Sequence, residues 1–67
     1  MCLSTLYNKT QDDEHVLLKN VQSLRIASGH MFFIDLMNRE YEFKGELISA
    51  DLIGGSVIID IGEELMT

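Results

Sequence analysis

The sequence has no proline and no tryptophan, only one cysteine, and few basic residues. A single cysteine excludes an internal disulfide, a common support of small domains in oxidising compartments. Five lysines and arginines stand against eleven aspartates and glutamates, giving a formal charge of −6. Nucleic-acid binders normally carry a basic patch that displaces counterions from phosphates, and here the basic residues are scattered. The composition therefore argues against a nucleic-acid partner and is compatible with a reducing cytoplasm.

The sequence also has no long apolar run, and it does not begin with the charged and then apolar segment that is typical of a signal peptide. We therefore expect a cytoplasmic protein without a membrane partner. Sixty-seven residues make one small domain over residues 1–67, with residues 61–67 as a frayed tail. A chain of this size buries only about 60% of its unfolded surface. Without a disulfide, its support is expected to come from a metal ion or a second subunit.

Alternation of apolar and polar residues runs through most of the chain and predicts short antiparallel strands. The clearest strand places Tyr41 and Phe43 on the inward face and charged residues on the outward face. Ser28-Gly29 and Gly54-Gly55 each predict a tight hairpin turn, since glycine adopts positive φ angles freely.

Gly45 interrupts the alternation and predicts a bulge or bend where the chain curls from one sheet into another. The expected fold is all-β, a small SH3-like, partly open antiparallel barrel of five to six short strands. Asp35 is expected on the solvent face of its strand. The predicted interior holds the apolar members of the alternating faces, namely Leu6, Ile26, Phe32, Ile34, Leu36, Tyr41, Phe43, Leu52, Val57 and Ile59.

The only cysteine, Cys2, lies one residue from the amino terminus. The pKa of an α-amine is about 8 and that of a thiol is about 8.5, so both groups are available as metal donors close to neutral pH. With Met1 retained, its amine, the Cys2 backbone nitrogen and the Cys2 sulfur can close adjacent chelate rings. Without Met1, the amine and thiolate of Cys2 close a single ring. Nitrogen and thiolate donors suit Ni(II) or Cu(II), and a two-fold dimer would double the donor set.

Other interpretations of the ligand-type residues stay open. A lone cysteine on a short apolar strand can be a small buried hydrophobe that binds nothing. His15 and His30 lie at predicted strand ends, within reach of a metal, but surface histidines mostly carry no ligand. The acidic run at residues 12–14 lacks the spacing of a calcium loop and is explained as a solvated charge run. No cysteine–histidine pair has an evident orienting group or oxyanion hole, so we expect no enzyme.

Three stretches carry a likeness to a known family, namely Met1-Cys2-Leu3-Ser4-Thr5-Leu6-Tyr7, Asp35-Leu36-Met37, and the segment from Gly45-Glu46-Leu47 to Asp60. Over nearly the whole chain up to Asp60, the sequence resembles the CooT family. These small proteins are associated in some organisms with nickel maturation of carbon monoxide dehydrogenase. The resemblance implies a homodimeric SH3-like protein that binds Ni(II) through Cys2 of each subunit, with the Met1 amine as companion ligand. It also implies a nickel enzyme or its maturation factors as a partner.

Two functions from different classes follow. The first is a Ni(II)-binding accessory or metallochaperone-like protein whose ion lies at the dimer interface. The alternative is an SH3-like interaction module that binds a protein or RNA partner and no metal. The Cys2 thiolate distinguishes them, because only the first function requires that the thiolate be reachable.

Overall fold

A computed structural model describes residues 3–61 as one six-stranded sheet with a single 3-10 turn, Asp13–His15. The strands are β1 (Ser4–Asn8), β2 (Val16–Ala27), β3 (His30–Asp35), β4 (Glu40–Lys44), β5 (Glu46–Asp51) and β6 (Ser56–Asp60). The predictions for Met1, Cys2 and the tail beyond residue 61 lie outside the described residues. Within residues 3–61, no helix is long and apolar enough to cross a membrane.

The strands are arranged in the order β4-β3-β2-β1-β6-β5. Consecutive strands pair antiparallel in β1–β2, β2–β3, β3–β4 and β5–β6. β1 and β6 pair in parallel, which joins the first and last strands in the interior of the sheet, next to edge strand β5. β4 and β5 are the two edges, and the sheet does not close into a barrel. The predicted all-β, partly open fold is therefore confirmed, with one parallel pairing among the antiparallel ones.

Gly45 is the one residue between edge strands β4 and β5, and the bend predicted there is confirmed. The bend connects the two edges of a single sheet, whereas the prediction had the chain pass from one sheet into another. The φ angle of Gly45 is +147°, a conformation that side chains rarely tolerate. A Cβ atom at this position would lie 2.1 Å from the carbonyl oxygen of Asp60. Only glycine lets the chain turn here while it lies against the end of β6.

The β2–β3 hairpin turns at Ser28-Gly29, as predicted, with φ angles of +52° and +79°. Two successive positive φ angles match the right-handed twist of the flanking strands. β2 is also bent near Asn20, whose φ angle is +60°. The carbonyl of Asn20 accepts a hydrogen bond from the Leu36 N–H at 2.8 Å, so this bend secures the turn that follows β3.

The hydrophobic core lies on one face of the curled sheet. Its fully or nearly fully buried side chains are Leu6, Val21, Met31, Phe33, Val57 and Ile59. Burial of Leu6, Val57 and Ile59 confirms three of the predicted interior positions. Phe43 packs against this cluster, with its ring edge-on to Phe33 at a centroid distance of 5.8 Å. Tyr41 is half-buried, as its alternating pattern suggested.

The predicted face of β3 is wrong. Met31, Phe33 and Asp35 point into the core, whereas Phe32 and Ile34 lie half-buried on the outer face. Residues 31–34 are all apolar, so alternation alone cannot choose between the two faces of this strand.

Three further residues predicted in the interior are exposed, namely Ile26, Leu36 and Leu52. Ile26 lies at the turn end of the β2–β3 hairpin, one residue before the end of β2. Leu36 and Leu52 follow the last residues of β3 and β5, so neither belongs to the strand whose alternation had placed it inside. The strand ends therefore account for these errors.

Candidate functional site

The first described residues run along the turn that connects β5 to β6, residues 52–55. The Thr5 N–H donates to the Gly55 carbonyl at 2.9 Å, which starts the parallel β1–β6 pairing. A Cβ atom on Gly55 would lie 3.2 Å from the Leu3 carbonyl oxygen, and the φ angle of Gly55 is +79°. Glycine at this position allows the amino-terminal strand to lie close against the turn.

The turn itself is built on Asp51. The Gly55 N–H donates to the Asp51 carbonyl at 2.8 Å, and the Gly54 N–H donates to the Asp51 side chain at 2.8 Å. The connection is therefore a four-residue turn that includes Leu52, longer than the two-residue Gly54-Gly55 connection suggested by the sequence. The carboxylate satisfies an N–H group that the turn would otherwise leave to water.

A shallow apolar groove of about 90 Å³ opens beside this turn. Its floor and walls come from β1, β2, β6 and the end of β5, and the lining residues are Ser4, Val21, Gln22, Ser23, Leu24, Ala50, Leu52 and Val57. Ser4 belongs to the groove and follows Leu3, so the amino terminus enters the fold at this rim. Val21 and Val57 are core residues, which means that the groove is a continuation of the core towards solvent.

β5 borders the groove and contributes nothing to the core cluster: all six of its residues are exposed. The exposed large apolar side chains of this strand and its turn are Leu47, Ile48, Leu52 and Ile53. We call these four side chains, together with the groove, the β5 surface. Sequence analysis did not predict this surface, because the alternating pattern assigns Leu52 to the interior.

His15 is paired with Asp12. Its Nδ1 lies 2.6 Å from Asp12 Oδ1, which also accepts the Glu14 N–H at 3.0 Å and so caps the 3-10 turn. The hydrogen bond with His15 is the main cause that lowers the pKa of Asp12, and the Glu14 N–H adds to it, against a smaller opposing effect of burial. This pair is explained by the local turn that it stabilises.

His30 lies on the outer face of β3, where its Nδ1 contacts a carboxylate oxygen of Glu42 on the neighbouring strand. Its ring is stacked with that of Phe32 at a centroid distance of 6.3 Å. The Arg25 guanidinium lies 4.3 Å from the centre of the Phe32 ring, and Arg25 also approaches Glu40 at 3.5 Å. Charged side chains therefore cover the apolar part of this face.

Neither histidine is part of a metal-binding cluster in the described segment, because nowhere in residues 3–61 do three histidine, cysteine, aspartate or glutamate side chains converge. The ligand prediction made from the sequence concerns Cys2 and Met1, which lie outside that range. What the structure supplies is their covalent attachment point, Leu3, at the rim of the β5 surface.

Asp35 is the buried polar residue that sequence reasoning placed on the wrong face. Its side chain is 4% exposed and accepts four hydrogen bonds. Oδ1 accepts the N–H groups of Met37 and Arg39, each at 2.9 Å, and Oδ2 accepts Arg39 Nε at 2.9 Å and the Tyr41 hydroxyl at 3.1 Å. One carboxylate thus satisfies the backbone of the β3–β4 turn and ties it to β4.

This turn lies next to the groove through Gln22. The Gln22 amide Nε2 donates to the Asp35 carbonyl at 3.0 Å and to the Asn38 side chain at 2.9 Å, and Gln22 also lines the groove. Burial acts to raise the pKa of Asp35, but the Arg39 N–H, the Tyr41 hydroxyl, the Arg39 side chain and the Met37 N–H together outweigh it. The net pKa of Asp35 is below its ordinary value of 3.8.

Replacement of Asp35 by asparagine is expected to lower the melting temperature by on the order of 10 °C, since one side-chain oxygen becomes a donor facing donors. Because the folded-state pKa of Asp35 is lowered, its contribution is fully present above 3.8 and is lost as the pH falls below that value. The D35N protein should therefore lose less stability than the parent between about pH 5 and 2. Thermal melts followed by circular dichroism across this range measure both effects.

Asp13→Asn is the matched control, because Asp13 is an exposed aspartate of the 3-10 turn. It should melt within a few degrees of the parent at neutral pH. Equal melting temperatures for D35N and D13N would contradict the structural role given to Asp35.

A known protein family matches nearly the whole chain. The family model of the CO dehydrogenase accessory protein CooT matches residues 1–60, which include Met1, Cys2 and every strand. Among curated proteins, none matches the chain. The family match covers far more than half of the 67 residues, and it begins at the residue pair that carries the predicted ligands. The chain therefore belongs to the CooT family of CO dehydrogenase accessory proteins.

Proposed function

We propose that this accessory protein binds Ni(II) and holds one ion per homodimer through Cys2 of each subunit, with the Met1 amine as companion ligand. The recipient in this proposal is a nickel enzyme, carbon monoxide dehydrogenase, or a factor that matures it. The observation that supports the proposal most strongly is the extent of the family match, which begins at residue 1 and includes the only thiol of the chain.

The surroundings of the attachment point are consistent with a site between two subunits. Leu3 and Thr5 are fixed along the 52–55 turn, so the amino terminus starts from an ordered rim of the sheet. Each chain supplies one thiolate, so a site with two thiolate ligands needs two chains. A two-fold axis near this rim would bring a second thiolate and a second amine to the same ion.

Two thiolates and two nitrogens favour near-planar Ni(II) or Cu(II) over tetrahedral zinc. Copper is expected to bind more tightly by the Irving–Williams order, so nickel loading in the cell would depend on metal availability. Both donors must lose protons before they bind, and nickel affinity should therefore weaken as the pH falls below neutrality. The proposal requires no catalytic step from this chain: its role is to bind, carry and release the ion.

The alternative function is an interaction module that binds a partner through the β5 surface and has no physiological metal. The exposed apolar side chains of residues 47–53 favour it, since such patches mark interaction sites. The net charge of −6 disfavours RNA as that partner. The two functions separate at the amino terminus, because the alternative does not depend on a free amine or thiol there.

An amino-terminal extension tests the proposed ligand set. A few residues placed before Met1 convert its amine into an amide and should weaken Ni(II) binding at least tenfold, because one donor of each subunit is lost or displaced. The same residues attached after Thr67 are the control and should leave binding unchanged. Isothermal titration with Ni(II) measures both, and melting temperatures within a few degrees of the parent show that the fold is kept. Undiminished binding by the extended protein would exclude the amine as a ligand.

A further inference from the structure

β2 extends well beyond the strand that pairs with it on one side. It runs from Val16 to Ala27, but its described pairs with β1 end at Ser4 and Val21. From Ser23 to Ala27 it pairs with β3 on its other side. Among the described residues, the second half of β2 therefore has no strand beside it in the direction of β1. An open strand edge of this kind pairs readily with another extended segment.

The groove described above lies beside this open edge, and it is too small for a typical organic ligand. Gln22, Ser23 and Leu24 line it from β2, and Ala50 lines it from β5. Its volume is about 90 Å³, whereas pockets that hold small molecules measure about 300–1,000 Å³. Because its walls are mainly apolar, the occupant that fits its size and chemistry is a small apolar side chain.

The amino-terminal chain is the nearest segment that could supply such a side chain. Ser4 lines the groove, and the Leu3 carbonyl lies close to Gly55 at its rim. Three residues precede Ser4. At about 3.3 Å per residue in a strand, they extend about 10 Å further along the open edge of β2. Successive side chains of a strand alternate between its faces, so continuation of β1 puts Cys2 on the same face as Ser4.

Pairing across to β2 leads to the same position. β2 contains one extra residue, Gln22, where its register with β3 shifts between Val21 and Ser23. Beyond this bulge, continued antiparallel pairing sets Cys2 opposite Leu24. Leu24 is half-buried, packs against the core and lines the groove. Because paired residues share a face, both arguments direct the Cys2 side chain to the groove.

We propose that, in the metal-free protein, residues 1–3 continue β1 along the open edge of β2 and the Cys2 thiol occupies the groove. Free cysteine behaves as a small hydrophobe, so its side chain suits an apolar groove of this size. The proposal also deepens the nickel function above, on which its second step rests. A thiol held in the groove does not bind an ion, so nickel binding must first draw the segment out.

Docking of this segment lowers the apparent affinity for nickel. If only the undocked segment binds the ion, the apparent dissociation constant exceeds the intrinsic one by the inverse of the undocked fraction. A change in the groove that never touches the ion should therefore shift thiol protection and nickel affinity together. Ala50 is the position for such a change, because it is exposed on β5 and lines the groove.

Ala50→Leu tests the proposal, since the larger side chain fills the groove from an exposed strand and should displace the amino-terminal segment. In the metal-free parent, with a chelator present, the Cys2 thiol should react with an excess of an aromatic disulfide reagent at least about tenfold more slowly than in the urea-unfolded chain at the same pH. In A50L most of this protection should be lost, and titration with Ni(II) should show correspondingly tighter binding.

Ser49→Leu is the matched control, because Ser49 is an exposed residue of β5 that does not line the groove. S49L should react with the reagent and bind nickel as the parent does. Melting temperatures within a few degrees of the parent show that both variants are folded.

Three results would overturn the docked segment. The first is a thiol in the folded parent that reacts as fast as in the unfolded chain. The second is equal protection in A50L and S49L. The third is protection that disappears when the parent is diluted, which would assign the groove to a surface of another chain.

The outcomes separate this inference from the nickel proposal. A protected thiol in a parent that binds no Ni(II) would keep the docked segment and remove the metal. Nickel binding that needs Cys2, in a parent whose metal-free thiol is unprotected, would keep the metal and remove the docking. A thiol that A50L exposes without tighter nickel binding would overturn the competition between groove and ion.

Discussion

Replacement of Phe33 by alanine is expected to lower the free energy of unfolding by about 3–5 kcal/mol. Phe33 is fully buried at the centre of β3, with Leu24 and Tyr41 as its cross-strand partners and Phe43 edge-on to its ring. Removal of the ring leaves a cavity that the rigid sheet can only partly close. A domain of this length has a total stability of roughly 3–10 kcal/mol, so the F33A protein should lose a large share of its stability and unfold at a much lower urea concentration than the parent.

Phe32→Ala provides the control, because the same ring is removed one residue earlier on the opposite face. Phe32 is half-buried and contacts Arg25 and His30, so its loss should cost about 1 kcal/mol. Urea denaturation of both variants measures the difference. Comparable costs, or a greater cost for F32A, would mean that β3 presents the other face to the core.

This pair of variants bears on the main error of the sequence interpretation. Where apolar and charged residues alternate strictly, as around Tyr41 and Phe43, the inward face was predicted correctly. β3 has four consecutive apolar residues, and the predicted face placed Phe32, Ile34 and Leu36 opposite Asp35. A charged residue was assumed to face solvent, whereas its four hydrogen-bond donors make burial favourable. Three of those donors belong to Met37 and Arg39 of the turn, and the fourth belongs to Tyr41 of β4. The sequence pattern does not contain the geometry that brings them together.

Glycine was more informative than hydrophobicity. The bend at Gly45 follows from its position inside an alternating pattern, and the structure gives the reason in the close approach to Asp60. The turn after β5 was less predictable, since the Asp51 carboxylate extends it to four residues and takes Leu52 out of the strand. The β5 surface was missed for a different reason. Periodicity predicts that an apolar face is buried, but it does not tell whether the covering surface comes from the same chain.

The metal site is a prediction from the residue types and from the family resemblance. By its chemistry, a unique cysteine next to the amino terminus can be a metal ligand or a small buried hydrophobe, and the family resemblance favours the ligand. Cys2 and Met1 lie outside the described residues, so their role stays a prediction. The structure adds the position of Leu3 at the rim of an uncovered apolar surface, which no pattern in the sequence indicates.

The central claim is that Cys2 binds the ion, and a Ni(II) titration of the purified parent and of Cys2→Ser is its most direct test. Thiolate-to-nickel charge-transfer absorption should rise in the parent and saturate at one ion per two chains, with release of protons. The C2S protein should show no such band and should bind at least a hundredfold more weakly, because an alcohol is a poor ligand for this metal at neutral pH.

The fold and the dimer should be unchanged in C2S, and His15→Ala and His30→Ala should bind nickel nearly as the parent does, since each histidine is already paired with a carboxylate. Saturation at one Ni(II) per dimer in the parent, absent in C2S, is the result that we predict. Nickel binding by C2S equal to that of the parent would contradict the account and leave the interaction module in its place.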